Sequence, residues 1–158
     1  MNRSTRLHIA ILCSTLVLST AAAQTSQSSP QDQAKKAVAV RQAVFDVQNF
    51  AFSPATAMLK GQPFNAEAAV TAGQRIEITS SMIPDVFKVD TSKFTLNTKA
   101  RAGIWSNMSD FRQKAANLHD AATNLVMAAK TGDKSATLAA VKAVGKACSA
   151  CHDQYKDN

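Results

Sequence analysis

Apolar residues recur at helical spacing along most of this chain, and no stretch shows the alternating pattern of a half-buried strand. Four helical segments are predicted. The first runs roughly from Asp32 to Lys60, with Val40, Val44, Val47 and Ala51 as its apolar stripe, widened by Phe45 and Phe52. Pro54 is expected to kink or interrupt it, and Gly61 and Pro63 to stop it. The second runs roughly from Asn65, a candidate N-cap, to Met82, with Pro84 as its terminator. A long polar loop over 86–99 follows. A loop of that length is uncommon unless it packs on something. The third has the cleanest pattern, because Ile104, Met108, Phe111, Ala115, Leu118, Ala122, Leu125 and Ala129 alternate steps of four and three. Such a seam belongs to a left-handed bundle. Gly132 closes this helix and Asp133 can cap the fourth, whose stripe is Leu138, Val141, Gly145, Cys148, His152 and Tyr155. The fold class is therefore all-α, an antiparallel four-helix bundle.

The stripe of the fourth helix carries the chemistry. Cys148-Ser-Ala-Cys151-His152 is a C-x-x-C-H run, the attachment signature of haem c. Two thiols add to the two haem vinyl groups and become thioethers. The histidine that follows supplies a ring nitrogen to the iron. On a helix, residues three and four apart share a face, so one turn can hold a porphyrin edge and its metal. A thioredoxin-type reading of C-x-x-C would want a βαβ pattern, which is absent. A zinc site would need about four ligands. Beyond the N-terminal segment, His119 is the only histidine outside the motif, and no further cysteine remains. The many core alanines leave room that a haem can fill.

The N-terminus adds a destination. Residues 1–23 read as a secretory signal peptide: Arg3 and Arg6 begin it, Leu7 to Leu18 form its apolar stretch, and Ala21-Ala22-Ala23 fits the cleavage site. The stretch is shorter than the ~20 residues of a membrane span. Cys13 follows Leu12 rather than a small residue, so it suits no lipid anchor and leaves with the signal. Residues 24–31 form a flexible lead rich in Ser and Gln, and 32–158 form one domain. Both cysteines of the mature part lie in the motif, so no structural disulfide is possible. Export and covalent haem together point to the periplasm. The net charge is +7. This modest basic excess can steer encounters with acidic redox partners. The charges are scattered, with no DNA-reading motif, so a nucleic-acid partner is not expected.

These features resemble the cytochromes c′, the class II cytochromes c, over about residues 32 to 157. The motif near the C-terminus carries most of the resemblance. Val40-Arg41-Gln42, Ala57-Met58-Leu59-Lys60-Gly61, Ile104-Trp105-Ser106, Ala128-Ala129-Lys130-Thr131-Gly132-Asp133 and Val144-Gly145-Lys146-Ala147 also match. The resemblance implies His152 as the proximal iron ligand, Arg41 and Gln42 near the haem propionates, Lys156 beside the proximal face, and often a homodimer. An arginine there can give a bidentate, charge-assisted hydrogen bond to a carboxylate. Two departures stand out. Ala102-Gly103 replaces a frequent Pro-Glu before Ile104-Trp105. Pro84 stands about where an aromatic often follows the second helix.

In the low-spin branch of the family a methionine of the first helix binds iron, whereas in the cytochrome c′ branch an apolar residue covers that face. The matching position is Phe45, which has no lone pair to give. The expectation is a five-coordinate, high-spin haem with an apolar distal face lacking a hydrogen-bond donor, suited to NO and CO. Met58, Met82, Met108 and Met127 are the rival ligands, Met58 foremost. Met108 reads as core filler, and His119 as outward-facing. Two functions follow: an electron carrier, and a binding module protective against nitric oxide. An enzyme such as a peroxidase is not expected, since no distal acid–base pair is visible.

Overall fold

The computed structural model describes residues 28–157. The expected signal peptide and residues 24–27 of the lead lie outside them. Four long helices and one short one make up the described chain: α1 (Pro30–Leu59), α2 (Ala66–Val86), α3 (Gly103–Ser106), α4 (Met108–Lys130) and α5 (Lys134–Tyr155). The four long ones form the bundle. No described helix is long and apolar enough to cross a membrane.

Local chemistry sets most boundaries. Ser29 caps α1 by accepting from the Asp32 amide at 3.1 Å. Pro30 fits the first turn, where its missing N–H is no loss. The helix thus starts two residues before the expected Asp32 and takes in the end of the lead. Asn65 and Asp133 cap α2 and α5 through the amides of Ala68 and Ala136. Gly61 and Gly132 turn the chain after α1 and α4 with positive φ, which glycine adopts without a Cβ clash.

Neither proline breaks its helix. α1 runs through Pro54 uninterrupted, and α2 runs through Pro84 to Val86. Each ring removes one ladder bond close to a helix end, where only a turn remains to be held. Pro54 is also exposed, so water can satisfy the freed carbonyl. The third predicted helix is split at Asn107 into α3 and α4, consistent with the weak start at Gly103.

Ile104, Phe111, Ala115, Leu118, Ala122, Leu125 and Ala129 are all buried, as the seam predicts, and Met108 is half-buried. α4 packs most closely on α2. Gly73 permits this, since a Cβ there would stand 2.7 Å from Val126 Cγ2. The stripe assigned to α1 was partly misplaced. Val44 and Ala51 are buried, but Val40 is 43% and Val47 51% exposed. The inward face is Ala34, Val38, Arg41, Val44, Gln48, Ala51, Ala55 and Met58. Two polar residues sit on it, which is why a hydrophobicity pattern points elsewhere.

α1 and α5 meet only sparsely, in contrast to the close pairs α1–α2, α2–α4 and α4–α5. The bundle therefore opens between its first and last helices.

Candidate haem site

That opening is a cavity of about 420 Å³, walled mainly by apolar side chains. α1 contributes Phe45, Gln48 and Phe52. α2 contributes Ile76 and Ile83, and Phe87 follows at its end. Ile104, Phe111, Ala115 and Leu118 form the floor, with Ala147, Cys148, Cys151 and His152 of α5 opposite α1. Every site residue expected from the sequence, namely Arg41, Gln42, Phe45, Cys148, Cys151, His152 and Lys156, lines this one space.

On α5 the inward residues are Thr137, Val141, Val144 and Tyr155, while the thiols of Cys148 and Cys151 are half-buried. Burial pushes both thiols up, Cys151 to about 11, so they stay protonated at neutral pH. His152 is exposed at the cavity mouth rather than part of the buried stripe. Partial burial, reinforced by Lys156, lowers its pKa and favours the neutral imidazole that a metal needs.

The end of α5 is tied down. Tyr155 donates to Asp110 Oδ2 at 2.6 Å and stacks edge-on against Phe111. Ala100 and Lys156 form an isolated antiparallel bridge, and Arg101 pairs with Asp157 at 2.8 Å. The long loop does pack, as its length demanded. Its other anchor is Arg41, which is 3% exposed. The guanidinium donates to the carbonyls of Val86 and Val89 and to Thr91 Oγ1, and lies 4.5 Å from the Phe87 ring and 5.1 Å from the Trp105 ring. Desolvation lowers its pKa. Gln42 is exposed at the rim and donates to the Asn97 carbonyl at 3.3 Å.

Among the described residues no methionine lines the cavity, and neither does His119. Met58 is buried at the α1–α2 turn, where its sulfur accepts from the Asn65 amide. Met127 and Met82 are exposed. His119 Nδ1 lies 3.1 Å from the Glu77 carbonyl, on the α2 side of α4.

Sequence reasoning missed two residues. Phe87 was counted with the polar loop, yet it is buried against Phe45, Trp105 and Phe111. Its place in the series Ile76, Ile83, Phe87, at steps of seven and four residues, was the available signal. It supplies the aromatic that Pro84 had seemed to displace. Gln48 was passed over as a polar residue between two phenylalanines. It is buried, and its Nε2 has no hydrogen-bond partner among the described residues.

An apolar cavity with two facing thiols, a histidine at its mouth and an orphaned buried amide fits a covalently held, mostly apolar cofactor with a polar edge. Fold and site together define a four-helix-bundle haem c protein. The Cytochrome C′ family model matches residues 36–156, and the chain belongs to that family. It is 35% identical to cytochrome c′ of Pararhodospirillum photometricum over 103 residues, 65% of this chain and 81% of that one. Cytochrome c-556 of Agrobacterium tumefaciens (strain II Chrys) is also 35% identical, over 101 residues, 63% of this chain and 80% of that one. Among solved structures, a ferrous variant of cytochrome c prime from Alcaligenes xylosoxidans with bound NO superposes with a TM-score of 0.68. It is 31% identical, and the match covers 79% of this chain and 96% of that one.

Proposed function

We propose that this chain is a periplasmic electron-transfer protein with a five-coordinate, high-spin haem that also takes NO and CO, and that it is not an enzyme. A bound haem would supply one-electron chemistry at its iron and a site for a small ligand. Cys148 and Cys151 would hold the group covalently, and His152 would supply its nitrogen to the iron. Arg41 keeps part of its five-donor fork beyond its three present bonds. With Gln42 and Lys156 at the rim, it would meet the propionates. Phe45, in the cavity wall on α1, would cover the face opposite His152.

The observation that carries this reading is the cavity lining, which includes Phe45 and, among the described residues, no methionine. The bound NO of the Alcaligenes relative supports gas binding here. A low-spin carrier with a methionine ligand is the rival, and the similarity to a cytochrome c-556 keeps it in view. It would require Met58 to leave its packed place at the α1–α2 turn. Titrating the ferrous holoprotein with NO and CO decides between them. The proposal expects the haem absorption to shift with both gases. A spectrum indifferent to both would rule it out.

A homodimer is part of the proposal. Val40, Val47 and Phe50, the last 73% exposed, share one side of α1, and Ile78 and Met82 add apolar surface on α2. Val47→Glu/Phe50→Glu should turn a dimer into a monomer in sedimentation. A monomeric parent, or a dimer indifferent to both charges, would refute this part.

A further inference from the structure

Gln48 puts a buried polar group in the cavity wall that Phe45 also lines. Among the described residues, the buried polar side chains of the cavity lining are Arg41, Gln48 and Tyr155, whose hydroxyl is taken by Asp110. Arg41 gives three hydrogen bonds to the loop, and on the proposed reading its remaining donors serve the propionates. Gln48 is 8% exposed and leaves its Nε2 unpartnered. Buried amides are normally satisfied, because an unmet donor in an apolar setting is costly. Its place in the helix is equally specific. It lies three residues after Phe45 and four before Phe52, so all three share the face that looks into the cavity. It also stands two turns from Arg41, about 10 Å along the helix axis, and so away from the polar rim formed by Gln42 and Lys156. Rotation of the amide about its last torsion turns the donor end toward the open space without changing the shape of the side chain.

We infer that Gln48 is a distal hydrogen-bond donor, placed to hold a small anion or a polar diatomic on the open face beside Phe45. The ligand range then extends beyond neutral gases to anions such as fluoride, because an anion in an apolar cavity needs a donor to replace water. This inference rests on the five-coordinate reading and specifies which ligands that site selects.

The test uses the holoprotein and its Gln48→Leu variant, with Gln48→Ala as a second variant that cannot overpack. Fluoride is titrated into the ferric form, and the carbon–oxygen stretch of bound CO is read by infrared spectroscopy in the ferrous form. Loss of the donor should weaken fluoride by about tenfold or more, the scale of one charge-assisted hydrogen bond. It should also raise the CO stretching frequency, while the ferric haem stays high-spin. Unchanged fluoride affinity and CO frequency in both variants, with a high-spin parent, would overturn the role of Gln48 and leave the vacant site standing. A low-spin parent that ignores both ligands would overturn both.

Discussion

Cys148→Ala/Cys151→Ala, which cannot hold haem covalently, is expected to lose most of its helicity and its cooperative melting transition. The reason lies in the division of the core. Ala51, Ala55, Ala69, Ala72, Ala115, Ala122 and Ala129 are buried, and side chains this small let α2 approach α1 and α4 closely. They do not fill the space between α1 and α5. An empty cavity of about 420 Å³, at ~24 cal/mol per Å³, would cost on the order of 10 kcal/mol. That is an upper bound, since the mouth beside His152 is open to water. Even half of it rivals the ~5–15 kcal/mol that holds a typical domain together. Far-UV circular dichroism and a thermal melt measure the effect. Equal helicity and equal melting in the variant and the holoprotein would mean that the bundle stands without its cofactor.

Phe45→Ala should bind CO and NO faster and more tightly, by about tenfold or more, equivalent to ~1.4 kcal/mol. Phe45 is half-buried, lines the cavity and packs edge-on against Phe87 at 6.2 Å. On the proposed reading its ring stands where a ligand would enter. Truncation clears that ground and also costs roughly 1–3 kcal/mol of stability, less than for a fully buried phenylalanine. Phe45→Met tests the same position from the opposite direction. A thioether there can reach a haem iron, so a low-spin spectrum is expected. Unchanged gas binding in the first variant and an unchanged spin state in the second would place Phe45 away from the distal face.

Much of this was legible in the sequence because burial and hydrophobicity coincide where helix packs on helix. The α4 seam is the clearest case, since it faces neighbours along its whole length. The haem motif was legible because its chemistry fixes both residue types and spacing. α1 was harder to read. It faces α2 on one side and the cavity on the other, and it places Arg41 and Gln48 inward where a pattern reader expects apolar residues. Val40 and Val47, apolar and exposed, drew the stripe to the wrong side. Arg41 gave no hint of its loop contacts, because its partners lie about fifty residues away and two of them are backbone carbonyls. Phe87 was hidden by Pro84. A proline near a helix end costs only the last ladder bonds, and the helix passed through it.

The most direct test is the paramagnetic resonance spectrum of the ferric holoprotein, recorded beside its optical spectrum. A high-spin signal is predicted, from iron held by His152 with no side chain opposite. A low-spin signal would mean that a sixth ligand from the chain reaches the iron, and the vacant site behind Phe45 would have to be abandoned.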